Sequence, residues 1–249
     1  MKRDSLLSRR RTKIVATVGP ASRDPAVLAS LIRAGVNVFR LNFSHGSGED
    51  HAENVRRIRE AEKDRGEPIA ILADLCGPKI RVGKFPGGSI DLREGDLVTV
   101  TTRDVMGGPG LIPSQYPDLA RDVRPGDHIL IDDGLLELIV QQAEGTEIRC
   151  QVQTGGVLKD RKGMNLPGVQ VSSPALTPKD REDAILALKL GVDFLALSFV
   201  RHPNDITDLK QIISGAGKPT PVIAKIEKPE AMDHIDAILA KCDGVMVAR

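Results

Sequence analysis

The segment TPKDREDAILALKLGVDFLALSFV, residues 177–200, predicts a helix that leads directly into a buried strand. Thr177 can cap the helix, Pro178 suits its first turn, and Gly191 is placed to end it. The run that follows, residues 193–200, is almost wholly apolar, which is typical of a strand covered on both faces in a parallel sheet. The segment therefore predicts an α/β protein.

The same helix-to-strand junction recurs along the chain, which indicates a repeated strand–helix unit. Periodicity predicts helices between six buried strands, and such alternation means a parallel sheet, in either a barrel or a doubly wound fold. The similar junctions are residues 34–37, 190–193 and 242–245. The predicted strands are residues 13–19, 36–44, 68–75, 193–200, 221–227 and 244–249, and the predicted helices are residues 25–34, 49–65, 177–191, 203–214 and 229–241.

The pattern changes between residues 78 and 174, where turns and short strands alternate and no helix is predicted. Two similar turns, REGD at residues 93–96 and RPGD at residues 124–127, each precede a strand-like run, and Asp133-Gly134 is a strong hairpin signal. We predict a compact all-β insertion. The predicted division is a basic tail (1–12), the first part of the α/β domain (13–77), the inserted β domain (78–174) and the second part of the α/β domain (175–249).

The composition excludes several functional classes. Of the 249 residues, 35 are Lys or Arg and 34 are Asp or Glu, and only 2% are aromatic, so a nucleic-acid partner is not expected. Cys76, Cys150 and Cys242 form no close pair, which favours a reducing cytoplasm. No apolar run reaches the ~20 residues that span a bilayer, so no membrane partner is expected. The basic N-terminus is interpreted as a solvated tail rather than a polyanion-binding arm.

Polar residues occur near the carboxyl ends of four predicted strands. Because strand side chains alternate between faces, these groups can point together. Charged groups on apolar strands need partners or a site, and barrel active sites are built at this edge. The residues are Arg40, Asn42 and Ser44 on the second strand, Asp74 on the third, Ser198 on the fourth, and Lys225 and Glu227 on the fifth.

The residue types indicate a class of chemistry. Arg40 and Lys225 suit an anionic substrate, and the carboxylates of Asp74 and Glu227 suit Mg²⁺ or Mn²⁺. Together they fit phosphoryl transfer or enolate stabilisation. Of the five histidines, His45 alone lies near the predicted site. Structural ion pairs between Arg40 and Asp74, and between Lys225 and Glu227, remain alternative interpretations.

Five motifs resemble those of the pyruvate kinase family. The resemblance implies a partial (β/α)₈ TIM barrel with six strands present, interrupted after strand 3 by a small all-β domain that acts as a nucleotide lid. In order, the motifs are RLNFSHG (40–46), Asp74 with GPKIR (77–81), KGMNLPG (162–168), AKIE (224–227) and VMVAR (245–249).

The resemblance implies a cytoplasmic glycolytic enzyme that transfers the phosphoryl group of phosphoenolpyruvate to ADP, giving pyruvate and ATP. Arg40 would hold the phosphoryl group, Lys225 would stabilise charge in transfer and on the enolate, and Ser198 is assigned to the substrate site. Glu227 would bind Mg²⁺ or Mn²⁺. The residues assigned to the nucleotide are Asn42, Phe43, Ser44, His45, Arg81 and Lys162.

The resemblance also implies a monovalent-cation site. Asn42, Ser44, Asp74 and the Leu75 carbonyl match the family's K⁺ ligands. Many members read Thr-Lys-Gly-Pro-Glu where this chain has Leu-Cys-Gly-Pro-Lys at residues 75–79. Because Lys79 can supply the charge that K⁺ supplies elsewhere, K⁺ is predicted not to be required.

The family continues past the Val-Ala-Arg of residues 247–249 with Gly-Asp, and that Asp is a second metal ligand. Two further barrel strands and the domain associated with assembly are also expected after it, and the full-length family member is expected to be a homotetramer. The 249 residues alone are therefore predicted to be an inactive or weakly active fragment. Two alternatives stay open: a non-catalytic remnant that binds anions and metal, and another phosphoenolpyruvate/pyruvate-type metal-dependent barrel enzyme.

Overall fold

A computed structural model describes residues 10–63 and 68–247. The chain divides into two compact units, which we call the α/β unit (Met1–Pro78 with Pro174–Arg249) and the β unit (Lys79–Ser173). Most of the predicted basic tail and the last two residues lie outside the described part. Within that part, no helix is long and apolar enough to cross a membrane.

The first part of the α/β unit alternates three strands with two helices. The first helix begins and ends where predicted: the Asp24 carboxylate accepts the Ala26 N–H at 2.8 Å, and Gly35 ends it with a left-handed backbone at φ 107°. The second helix carries an ion pair between Glu53 and Arg57, four residues apart. The elements are β1 (Val15–Thr17), α1 (Pro25–Ala34), β2 (Val38–Asn42), α2 (Gly48–Lys63) and β3 (Ala70–Asp74).

The β unit contains two sheets, one of two strands and one of six. Both predicted turns form, since the side chains of Asp96 and Asp127 accept the N–H groups of Arg93 and Arg124 at 3.3 and 2.7 Å. A four-residue helix that was not predicted, α3 (Leu119–Asp122), is too short to leave a periodic pattern. The strands are β4 (Ser89–Leu92), β5 (Leu97–Thr101), β6 (Leu111–Pro113), β7 (His128–Ile131), β8 (Leu136–Glu144), β9 (Glu147–Thr154), β10 (Gly156–Lys159) and β11 (Met164–Asn165).

The second part of the α/β unit resumes the alternation. The Thr177 hydroxyl and the Asp180 carboxylate cap the first helix reciprocally. The helix expected over residues 229–241 differs, because His234 has a non-helical φ of −123° and separates a 3₁₀ segment, Pro229–His234, from a short α-helix. The elements are α4 (Pro178–Leu190), β12 (Phe194–Leu197), α5 (Pro203–Gly215), β13 (Val222–Ile226), α6 (Ile235–Leu239) and β14 (Gly244–Val247).

The six strands of the α/β unit form one parallel sheet in the order β1-β2-β3-β12-β13-β14. Strands β3 and β12 are neighbours although the whole β unit lies between them in sequence. The predicted fold class, with six parallel strands and an all-β insertion, is confirmed. The strands are shorter than the apolar runs because flanking residues such as Val36 and Val200 are buried in the core without belonging to the ladder.

The similar helix-to-strand junctions share a hydrogen-bond pattern. At each junction, an Asn or Asp donates its backbone N–H to the carbonyl of one residue at the start of the neighbouring strand. The side-chain oxygen of the same Asn or Asp accepts the backbone N–H of that residue. The pattern ties the amino ends of adjacent strands together. The pairs are Asn37 with Ile14, Asp193 with Ile71, and Asp243 with Val222, with side-chain contacts of 3.0, 2.8 and 2.8 Å, and the same oxygens contact Arg10, Arg59 and Lys210.

The Asp243 junction should make stability depend on pH. Its pKa lies below the usual 3.8, because the Val222 N–H and then Lys210 stabilise the charged form. A carboxyl group whose folded pKa is lowered stabilises the protein above its unfolded pKa and loses that contribution as the pH falls below it. We expect Asp243→Asn to be less stable than the unsubstituted chain at pH 7 by less than about 1 kcal/mol, since the side chain is partly exposed. In urea unfolding, the difference in the free energy of unfolding between the two proteins should be smaller at pH 3 than at pH 7. Equal differences at the two pH values would contradict this prediction.

Candidate active site

The predicted polar residues meet at the carboxyl edge of the parallel sheet. Asp74 ends β3, and its side chain is 2% exposed. Its Oδ2 accepts the Arg40 Nε–H at 2.7 Å, while its Oδ1 lies 3.1 Å from the Lys225 Nζ. Buried charge is costly unless it is paired, so this carboxylate and the two cations stabilise one another.

Lys225 is the centre of the cluster. Its ammonium lies 2.8 Å from the Ser198 Oγ, 3.1 Å from the Asp74 Oδ1 and 3.3 Å from the Glu227 Oε1. The Ser198 hydroxyl accepts from Lys225 and donates to the Leu75 carbonyl at 2.6 Å. The ammonium is thus directed by three oxygens, and the side chain remains 11% exposed.

Two contacts in the cluster were not predicted. The Thr17 Oγ accepts the Arg40 Nη1–H at 3.0 Å, and the Phe199 N–H donates to the Glu227 Oε2 at 2.9 Å. A signal for Thr17 exists, because it is a polar residue at the carboxyl end of β1 like those on the neighbouring strands. The Phe199 contact comes from the backbone and leaves no signal in residue type.

Asn42 organises the loop after β2. Its Oδ1 accepts the Ser44 N–H at 3.1 Å, and its Nδ2 lies 3.4 Å from the His45 Nδ1. Beside this loop lies a cavity of about 350 Å³. Thr17 lines the cavity and also contacts Arg40, so the cavity adjoins the charged cluster. Other residues that line it include Gly19, Pro20, Asn42, His45, Asp50 and His51.

The side chain of Phe43, a residue assigned to the nucleotide from the sequence, packs in the hydrophobic core. Its ring is 2% exposed and stacks on His51 with 3.9 Å between ring centroids. Burial lowers the pKa of the His51 imidazole, which favours its neutral form. The alternation of β2 explains the placement, because Phe43 follows Phe39 and Leu41 on the face that packs into the core.

The remaining predicted residues divide between the units. Asn42 and Asp74 are register partners on β2 and β3, so two of the predicted K⁺ ligands are adjacent. Arg81 and Lys162 are neighbours within the β unit, where the Arg81 Nη1–H donates to the Arg161 carbonyl at 2.8 Å and the Lys162 Nζ lies 2.8 Å from the Asp132 Oδ1.

The Glu227 carboxylate fits a divalent ion that takes its other ligands from water and a bound substrate. Among the described residues, no three His, Cys, Asp or Glu side chains gather as a metal site. Mg²⁺, however, needs only one or two protein carboxylates and takes its other ligands from water and substrate phosphates. The Glu227 side chain is 17% exposed, so an ion from solvent can reach its carboxylate, whose Oε1 also lies 3.3 Å from the Lys225 Nζ.

Comparison with known proteins identifies the family. The family model described as "Pyruvate kinase, barrel domain" matches residues 9–249. The chain belongs to the pyruvate kinase family. It is 50% identical over 244 residues to pyruvate kinase 2 of Synechocystis sp., covering 96% of this chain and 41% of that protein. It is 47% and 45% identical over 240 residues to the pyruvate kinases of Corynebacterium efficiens and Mycobacterium tuberculosis, covering 96% of this chain and 51% of each.

Membership of the pyruvate kinase family confirms the resemblance read from the five motifs. It sets aside the alternative of a different family of metal-dependent barrel enzymes. The chain spans about half the length of the curated relatives it matches.

Proposed function

We propose that this chain carries the phosphoenolpyruvate site of an enzyme that transfers a phosphoryl group from phosphoenolpyruvate to ADP, giving pyruvate and ATP. The observation that carries the proposal is the arrangement of two cations, Arg40 and Lys225, around the buried Asp74 and beside Glu227. Phosphoenolpyruvate is a small anion with a phosphate and a carboxylate, so it needs cations held at short range.

The two cations would have different roles. Three of the five N–H groups of Arg40 are directed to Asp74 and Thr17, which leaves two that can donate to the phosphoryl oxygens. The ammonium of Lys225 is compact and is held by Ser198, Asp74 and Glu227. It would stabilise negative charge during transfer and on the enolate that remains. Ser198 would act by orienting Lys225.

Glu227 would hold Mg²⁺ or Mn²⁺. When bound, the ion neutralises charge on the transferring phosphoryl group. The residues around Glu227 orient its carboxylate, through Lys225 on one oxygen and the Phe199 N–H on the other.

The nucleotide site is supported by the cavity next to the cluster. Asn42 and His45 line it, and its volume of about 350 Å³ suits part of a nucleotide. Ser44 belongs to the same loop. Arg81 and Lys162, in the β unit, are proposed as nucleotide residues on the family resemblance. The reaction is proposed to take place in the cytoplasm. The complete protein is proposed to be a homotetramer, and light scattering would test this oligomeric state.

The proposal is tested by measuring pyruvate formation. The complete product of the gene and the 249-residue chain are each supplied with phosphoenolpyruvate, ADP and Mg²⁺ in an assay coupled to lactate dehydrogenase. We expect the complete product to form pyruvate only when all three are present. Binding of phosphoenolpyruvate without turnover by the complete product would favour the second candidate, a non-catalytic module that binds anions and metal.

Lys79 gives a further prediction about monovalent cations. With Lys79 present, we expect the rate to be the same in K⁺ as in tetramethylammonium. Lys79→Glu should make the rate several-fold higher in K⁺, because the fixed charge is lost and a bound cation can replace it. Lys84→Glu, at an exposed lysine of the same unit, is the control and should stay indifferent to K⁺. Strong K⁺ dependence before substitution would contradict the prediction. A Lys79→Glu variant whose rate is the same in K⁺ as in tetramethylammonium would also contradict it.

A further inference from the structure

Phe199 has a backbone conformation that bulky residues rarely adopt. Its φ is 56°, in the left-handed region. Among the described residues, the other non-glycine residues with positive φ are Asp132, Asp133 and Arg161, all in the β unit. Phe199 instead lies two residues after β12, at the edge of the sheet where the charged cluster lies.

The unusual backbone directs an N–H group at a carboxylate of the cluster. The Phe199 N–H donates to the Glu227 Oε2 at 2.9 Å, while the Glu227 Oε1 lies 3.3 Å from the Lys225 Nζ. A hydrogen bond from an amide to a charged carboxylate is stronger than one between neutral groups. The carboxylate is therefore fixed from two directions, by the backbone and by Lys225.

Gly77 leaves the space that this conformation of Phe199 requires. A Cβ at position 77 would lie 2.6 Å from the Phe199 Cδ2, so only glycine leaves room for the ring. Gly77 is itself fixed, since its N–H donates to the Asp180 Oδ1 at 3.0 Å. Asp180 is completely buried and takes part in capping α4, so the position of its carboxylate is fixed by the helix.

We propose that Phe199 is a positioning residue, whose left-handed backbone, supported by Gly77, directs its N–H at Glu227 and fixes that carboxylate for metal binding. Backbone strain persists where the surroundings enforce it, and it concentrates at functional sites. The inference rests on the proposed function only in that Glu227 binds the ion.

The hydrogen bond is tested by NMR on the 249-residue chain labelled with ¹⁵N-phenylalanine. Only five phenylalanine amide signals are possible, and Phe199→Leu identifies the signal of interest. We expect Glu227→Ala to move the Phe199 amide signal upfield, and to move it further than it moves any of the other four phenylalanine signals. Glu227→Gln keeps an oxygen acceptor and should move it less. A Phe199 signal that moves no more than the others in both variants would overturn the proposal.

The effect on metal binding is tested with Mn²⁺ alone, by the loss of the free-ion signal in electron paramagnetic resonance. Gly77→Ala should weaken Mn²⁺ binding about tenfold, the lower end of the effects of groups that orient metal ligands. Gly217→Ala is the matched control, because its φ of 72° resembles the 68° of Gly77 but no atom lies within 4 Å of the added Cβ. Equal Mn²⁺ affinities in the two variants would overturn the proposal.

A second variant covers the case in which Gly77→Ala does not fold. Phe199→Ala keeps the N–H but removes the ring that Gly77 supports, so it should also weaken Mn²⁺ binding relative to Gly217→Ala, and an unchanged affinity would count against the proposal. An unsubstituted chain that binds no Mn²⁺ would contradict the metal role under the proposed function, and the NMR shifts would then decide the role of Phe199 separately.

Discussion

Asp74→Ala is expected to lower the free energy of unfolding by about 3–5 kcal/mol, the range found when one partner of a buried ion pair is removed. Asp74 contacts both Arg40 and Lys225, and its side chain is 2% exposed. Without it, two cations remain close together with only Glu227 as a carboxylate partner. The loss should exceed that of an ordinary surface ion pair several-fold.

Urea unfolding followed by circular dichroism measures this effect. Glu53→Ala is the control, because Glu53 also contacts two cations, Arg56 and Arg57, but on an exposed helix face. It should cost far less than Asp74→Ala, because solvent screens an exposed ion pair. Adding Lys225→Met to Asp74→Ala should recover part of the stability, since one of the two neighbouring cations is removed. Equal losses for Asp74→Ala and Glu53→Ala would show that the cluster is not held by Asp74.

Lys225→Met is expected to reduce kcat for pyruvate formation by about 10²–10³-fold, as for the loss of one group that stabilises developing charge. The methionine keeps a similar length but carries no charge for the transferring phosphoryl group or the enolate. Asp74 keeps Arg40 as a partner, so the fold should persist.

The measurement is steady-state turnover of the complete gene product, with circular dichroism to verify folding. Lys210→Met is the control, because Lys210 pairs with Asp243 at the opposite edge of the sheet, and its kcat should stay within about twofold. A folded Lys225→Met protein with near-normal kcat would refute the role proposed for Lys225.

The sequence predicts element types better than their extents. The ends of α1 and α4 are predictable because Asp24, Gly35 and Thr177 act through local backbone hydrogen bonds. The strands are overestimated because apolar character reports burial, which continues beyond the paired residues. The 3₁₀ segment before α6 is missed because its difference from an α-helix depends on the backbone of His234.

The charged part of the site is predictable for a similar reason. Arg40, Asp74, Lys225 and Glu227 are conspicuous because charge on buried strands needs a partner, and strand alternation indicates which side chains share a face. Phe43 follows the same alternation into the core. The support from Phe199 depends on a backbone angle and on the space at Gly77, and neither is encoded in a local pattern.

The repeated junction hydrogen bonds have unequal consequences for the order of folding. The contacts of Asn37 with Ile14 and of Asp243 with Val222 join residues 23 and 21 positions apart, whereas that of Asp193 with Ile71 joins residues 122 apart. Closing the longer loop costs about 1.5 kcal/mol more in chain entropy if the intervening chain is unstructured. A β unit that folds early would shorten this loop, so the rate at which β12 joins β3 should depend on how quickly the inserted chain becomes compact.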